Sequence, residues 1–122
     1  MLKANARVVA RFTQISPADV KLCSVVKAEL YYEARASQQI ASNLAALDRF
    51  FSPFNSLPFD DASAEAYGQL RTDLQRTGQP IGPNNMMIAA IALAADLTVV
   101  THDTREFNRV PGLKLEDWEA AS

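Results

Sequence analysis

The clearest pattern along the chain is a long apolar block between two polar segments near the C-terminal end. Residues 86–95 are apolar on every side, which is typical of a buried helix rather than an amphipathic one. A loop rich in glycine and proline precedes this block, and Asn84 is a good candidate for the helix N-cap. The short run 97–101 contains two adjacent valines and predicts a strand that is covered on both faces. Polar side chains follow abruptly, so they gather where this strand ends.

Helical and strand-like patterns alternate along the rest of the chain. Apolar residues that recur every three or four positions predict amphipathic helices, and shorter alternating runs predict strands. The predicted helices cover residues 1–15, about 27–37, 38–51 and a segment that Asp60 or Asp61 caps and that ends before Gly78, and the predicted strands cover residues 20–26 and 56–60. Pro58 marks the second of these strands as an edge strand. The alternation of helix and strand predicts an α/β fold with a parallel sheet between helices.

The composition narrows the class of protein. A chain of 122 residues with 48% hydrophobic and 21% charged residues is long enough for one domain with its own core. The net charge of −2 argues against a strongly basic nucleic-acid binder, but not against a nuclease that grips its substrate through metal ions. No apolar run reaches the roughly 18 residues of a membrane span, and the single cysteine, Cys23, fits a reducing cytosol. We therefore expect a cytoplasmic protein without a membrane segment.

Several short motifs follow one another in order in the C-terminal half of the chain. They are Gly78, Pro80, Ile81 and Gly82 in the loop, Ile88-Ala89-Ala90 in the apolar block, Val100-Thr101 with Asp103 at the strand end, and Arg105-Glu106-Phe107 followed by Val110-Pro111-Gly112-Leu113. In this order and with these gaps, the motifs resemble the C-terminal half of PIN-domain nucleases, specifically the VapC-type toxins of toxin–antitoxin pairs. The resemblance extends back to about Val20 and less distinctly to the N-terminus, so it covers most of the chain.

The resemblance implies a PIN-like three-layer α/β/α sandwich with a parallel sheet, formed as a single domain by residues 1–122. The family's opening strand, with its Asp-Thr-Asn-like sequence, has no counterpart here, because the chain begins within what resembles the helices that follow it. We therefore expect a domain that is truncated at its N-terminus. Three explanations fit equally well: a mis-started reading of a complete toxin, a form made harmless to its host, or a natural remnant.

The resemblance also implies a nuclease whose carboxylates bind Mg²⁺ or Mn²⁺. Such ions offset the charge that develops when a phosphodiester is hydrolysed, and they prefer oxygen ligands. Glu29 and Asp103 match two acidic positions of the family, and Thr101 matches a polar position that often lines the site. A third acidic position falls on Asn85, whose amide offers an oxygen but no negative charge. The expected catalytic residues are therefore Glu29, Asp103, Thr101 and Asn85, and the expected metal ligands are Glu29, Asp103 and Asn85.

Two functions fit these residues. The first is a Mg²⁺-dependent endoribonuclease, the toxin of a VapBC-like pair, which cleaves RNA, forms a homodimer and is blocked by a cognate antitoxin. The second is a catalytically impaired remnant of the same fold that keeps dimer or antitoxin binding. Asn85 and the absent first strand remove two of the family's four carboxylates. Because the affinity for hard cations depends on ligand charge, we expect weakened metal binding and slower hydrolysis.

Several of these residues also have simpler explanations. Glu29, predicted in the first turn of its helix, would be favoured there by the helix dipole alone. Glu106 is better explained as a solvated turn residue than as an auxiliary ligand, and the lone His102 as a bystander rather than a catalytic base. Cys23 is expected to be a small buried hydrophobic residue, and Trp118 a packing anchor.

Overall fold

A computed structural model describes residues 21–101 and 103–117 of the chain. The chain divides into two compact units, Met1–Leu57 and Pro58–Ser122. The helix predicted for residues 1–15 lies outside the described residues, as do His102 and Trp118. None of the helices in the described part of the chain has the length and the apolar surface that spanning a bilayer requires.

The described part of the first unit, residues 21–57, contains two short parallel strands and two helices. Strand β1 (Lys21–Cys23) leads directly into helix α1 (Ser24–Arg35), and helix α2 (Ile40–Phe51) precedes strand β2 (Asn55–Leu57). The two strands pair in parallel from Lys21 opposite Asn55 to Cys23 opposite Leu57. The prediction of a strand over residues 20–26 was therefore wrong at its C-terminal end. Within the described residues, the pairing with the partner strand ends at Leu57 opposite Cys23, and the chain turns into a helix at Ser24.

The core of the first unit lies between α1 and α2. Ala34, Leu47 and Phe51 are buried there, which confirms the predicted apolar face of the second helix. The ring of Tyr31 meets that of Phe51 edge-on at a centroid distance of 5.5 Å. Cys23 is buried, as predicted, and the loss of solvent around its thiol raises its pKa.

In the second unit, residues 58–101 and 103–117 form two long helices followed by a short strand, a single helical turn and a second strand. These elements are helix α3 (Asp61–Arg76), helix α4 (Pro83–Ala95), strand β3 (Val99–Val100), helix α5 (Thr104–Phe107) and strand β4 (Leu115–Glu116). Strands β3 and β4 pair in parallel, which confirms the predicted parallel arrangement of the later strand. Asp60 is the N-cap of α3, and its carboxylate accepts a hydrogen bond from the Ser63 N–H at 2.9 Å, as predicted.

Helix α4 is the centre of the second core. Ala89 and Ala90 are fully buried, and the cluster around Ala89 includes Leu74 from α3 and Phe107 from α5. The small side chains allow the neighbouring backbones to approach closely, which explains a helix rich in alanine at this place. The predicted buried helix is thus confirmed.

The strand that follows this helix differs from its prediction. It was expected over residues 97–101 with both faces covered, but it is two residues long and Val100 is 44% exposed. Successive residues of a strand point to opposite faces. Val99 packs against the core cluster, so Val100 faces away from it.

Candidate functional site

The loop before α4 determines where the two asparagines in the first turn of this helix lie. Gly82, rather than the predicted Asn84, is the N-cap of this helix, and Pro83 occupies its first position. Proline suits this position because its φ angle is already helical and the missing N–H has no partner in the first turn. Asn84 is exposed, whereas Asn85, the third residue of the helix, is half-buried. The side chain of Asn85 thereby reaches groups on the segment that follows β3.

That segment carries Asp103, one of the expected ligands. The backbone N–H of Asp103 donates a hydrogen bond to Thr101 Oγ1 at 3.0 Å, and Asp103 occupies the N-cap position of α5. Its own carboxylate makes no capping hydrogen bond and is exposed to solvent. The hydroxyl of Thr101 thus fixes the backbone of Asp103 and leaves the carboxylate accessible to a ligand.

One amide group joins two carboxylates at this place. Asn85 Nδ2 donates to Glu106 Oε1 at 2.9 Å and lies 3.5 Å from Asp103 Oδ2. These residues are 21 and 18 positions from Asn85 in the sequence. The fold of the second unit therefore brings together two of the expected site residues, Asn85 and Asp103, and adds Glu106 to them.

Glu106 is held more firmly than the sequence indicated. Its Oε1 also accepts the backbone N–H of Gly82 at 2.9 Å, and its side chain is half-buried. The Gly82 N–H, then the Asn85 amide, and to a smaller extent Arg109 and Arg105 lower the pKa of Glu106, against an opposing effect of desolvation. The expectation of a solvated turn residue was wrong. Its spacing of three from Asp103, which on a helical turn gives neighbouring side chains, was the available signal.

Glu29 lies in the first unit, on α1. It is exposed and is the sixth residue of the helix, whose first turn contains no acidic residue. The predicted first-turn position was wrong because α1 begins three residues earlier than expected, at Ser24. The effect of the helix dipole falls off within one turn, so it does not explain a glutamate at this position.

The donor set of the second unit consists of hard oxygen atoms. Asp103 and Glu106 supply carboxylates, Asn85 an amide and Thr101 a hydroxyl, and such groups suit Mg²⁺ or Mn²⁺. Within residues 21–101 and 103–117, no group of three or more His, Cys, Asp or Glu side chains is placed to hold a metal ion. Asp103, Glu106, Asn85 and Thr101 are therefore of the chemical type that binds a hard divalent ion, but their total negative charge is low.

Comparison with known proteins gives matches that run across both units. A model of the PIN domain matches residues 3–113. The chain is 46% identical over 100 residues to a tRNA(fMet)-specific endonuclease VapC of Shigella flexneri, which covers 80% of this chain and 76% of the relative. It is 38% identical over 100 residues to ribonuclease VapC2 of Rickettsia felis, with 82% and 75% covered. A solved chain of DNA-bound VapBC from Salmonella typhimurium has a TM-score of 0.88 at 37% identity, over 93% of this chain and 86% of that one.

Proposed function

The chain belongs to the PIN domain family, in its VapC branch, and from that membership we propose that it is an endoribonuclease and the toxin of a VapBC-like toxin–antitoxin pair. Relatives at 46% and 38% identity are named endonuclease and ribonuclease, which supports RNA as the substrate. The similarity to a chain of VapBC supports an antitoxin as the protein partner. We extend the proposal to a homodimer that acts in the cytoplasm.

The proposed cofactor is Mg²⁺ or Mn²⁺. When bound, such an ion would activate water and offset the charge that develops on the phosphate. Asp103, Glu29 and Asn85 are the proposed ligands, Asn85 through its amide oxygen. The observation that carries the proposal is the approach of Asn85 to Asp103, because two residues 18 positions apart meet where a strand ends and a helix begins. Ligands in α/β folds gather at such strand ends.

The chain's own residues have distinct parts in this proposal. Asp103 presents an exposed carboxylate, and Thr101 holds its backbone in place through the hydroxyl oxygen. That hydroxyl has its own proton left to donate, so Thr101 orients a water molecule or a substrate oxygen. Glu106 accepts from Asn85 Nδ2, so this bond does not use the amide oxygen of Asn85, which is the atom through which Asn85 would bind an ion.

The second candidate function is binding without catalysis. It rests on Asn85, since an amide in place of the family's carboxylate lowers the ligand charge at the site. A protein of this kind would bind its antitoxin but would release no heat on titration with Mg²⁺. Two measurements distinguish the two functions: the heat of Mg²⁺ titration and RNA cleavage.

The test of the proposed function is cleavage of a tRNA pool in the presence of Mg²⁺ or Mn²⁺. We expect slow cleavage by the natural chain, faster cleavage by Asn85→Asp, and a loss of roughly 100-fold or more when Asp103→Asn is added. Asp73→Asn, a half-buried aspartate on α3, is the matched control and should leave the rate unchanged. Absence of cleavage by both the natural chain and Asn85→Asp would leave the binding function as the better account.

A further inference from the structure

The side chain of Asn85 makes contacts that a carboxylate at the same position cannot make. Its Nδ2 group donates to Glu106 Oε1 at 2.9 Å and lies 3.5 Å from Asp103 Oδ2. A carboxylate has acceptors only, so an aspartate at position 85 would place a third negative charge against these two. We infer that Asn85 is a built-in hydrogen-bond donor that holds Asp103 and Glu106 together without the help of a cation.

The hydrogen bonds to the two carboxylates agree with this role of Asn85. The Glu106 carboxylate receives the Gly82 N–H as well as the Asn85 amide, so the two described hydrogen bonds to this carboxylate come from the start of α4. Among the residues that the structure describes, the hydrogen bond to the Asp103 carboxylate is the longer contact from Asn85 Nδ2. A divalent ion that binds Asp103 therefore competes with the weaker of the two contacts and leaves the bond to Glu106 in place.

If Asn85 has this role, it should determine how the thermal stability of the protein depends on divalent ions. With Asn85, the start of α4 and the α5 turn are joined in protein stripped of divalent ions, so the melting temperature should depend little on EDTA or Mg²⁺. With aspartate at position 85, three carboxylates repel one another until a cation enters, and the melting temperature should become strongly dependent on the cation. This part of the inference rests on the proposed divalent-ion site.

The experiment is thermal unfolding of the full chain in EDTA and in 10 mM Mg²⁺ (roughly a saturating concentration for a weak oxygen site). We compare the natural protein with Asn85→Asp and with Asn84→Asp, an exposed neighbour that takes the same change of charge. In EDTA, Asn85→Asp should melt at least roughly 4 °C below both other proteins. Mg²⁺ should recover most of this loss and should change the other two proteins much less.

A double variant keeps the inference testable if Asn85→Asp fails to fold. Asn85→Asp with Glu106→Gln moves the amide donor to the other end of the same hydrogen bond and keeps the net charge of the natural protein. This double variant should regain a melting temperature that is insensitive to EDTA.

The inference is overturned if Asn85→Asp and Asn84→Asp melt together in EDTA, if Mg²⁺ stabilises the natural protein as much as Asn85→Asp, or if the exchanged pair remains as unstable in EDTA as Asn85→Asp. RNA cleavage is scored separately. If the melting temperature of Asn85→Asp depends on the cation but neither protein cleaves RNA, the inference is supported and the proposed nuclease function is removed.

Discussion

The guanidinium of Arg109 donates a hydrogen bond to the carbonyl oxygen of Pro80 at 2.7 Å, across 29 positions of the chain. Two residues further along the same loop, the N–H of Gly82 donates to Glu106. Ile81, between these two points, is buried in the core cluster of the second unit. The loop is therefore held on both sides of a buried residue, and this fixes the start of α4 and the position of Asn85.

The contact of Arg109 gives the first prediction. Arg109→Ala should lower RNA cleavage roughly tenfold, through a lower kcat with little change in KM, because the loop that positions Asn85 loses its hydrogen bond at Pro80. Arg109→Lys keeps a donor and should recover part of the rate. Arg105→Ala, an exposed arginine on the same turn, is the control for the loss of charge.

Backbone NMR distinguishes this positioning role from a general loss of stability. The amide resonance of Gly82 should shift in Arg109→Ala and return towards its original position in Arg109→Lys. An unchanged Gly82 resonance together with a slower reaction would show that Arg109 acts in some other way.

The sequence predicted those features that depend on local pattern. The spacing of apolar residues predicted α2 and the buried α4, and the side chain of Asp60 predicted the start of α3. Asp96, the polar residue that follows the predicted apolar block 86–95, is the C-cap of α4 in a left-handed conformation. Each of these features can be recognised from the types of residue within about four positions of the chain.

Features that depend on distant partners were predicted less well. The alternating residues 20–26 fit a strand, but the length of β1 is limited by β2, more than thirty positions away. The residues around Glu106 have the composition of a solvated turn. Gly82 and Asn85 become hydrogen-bond partners of Glu106 only once α4 and α5 pack together. The local sequence pattern does not predict such long-range contacts, so the hydrogen bonds around Asn85 were found only in the structure.

The cap of α3 predicts a dependence of stability on pH. Asp60 accepts hydrogen bonds from the N–H and the hydroxyl of Ser63, and these bonds lower the pKa of Asp60. The resulting stabilisation is fully present above the pKa of an unfolded aspartate, about 3.9, and is lost as the pH falls through the lower pKa of the folded protein. Asp60→Asn also caps a helix but does not titrate.

The measurement is the difference in melting temperature between the natural protein and Asp60→Asn from about pH 6 to pH 3. The natural protein should lose stability relative to Asp60→Asn as the pH falls, by a few degrees in total. Two parallel curves over this range would mean that the ionisation of Asp60 does not contribute to the stability of the cap.

Glu29 is a proposed ligand on the first unit, and its exposed position lets it be tested without disturbing the core. Glu29→Gln should reduce Mg²⁺-dependent cleavage roughly 100-fold, because a carboxylate ligand becomes neutral. Glu33→Gln, an exposed glutamate four residues later on α1, is the matched control and should leave the rate unchanged. Equal cleavage rates for both variants would show that Glu29 is not a ligand. The melting temperatures of both variants should stay close to that of the natural protein.

The most direct test of the metal site is paramagnetic broadening of amide resonances by Mn²⁺. At low Mn²⁺ concentrations the backbone signals of Asp103 and Asn85 and the side-chain amide signal of Asn85 should broaden first, whereas those of Asp73, an acidic residue on α3, should remain sharp. Addition of Mg²⁺ should reverse the broadening, because both ions prefer the same oxygen ligands. Broadening that begins at Asp73 or at other acidic residues of the surface, with Asp103 unaffected, would contradict the proposed divalent-ion site.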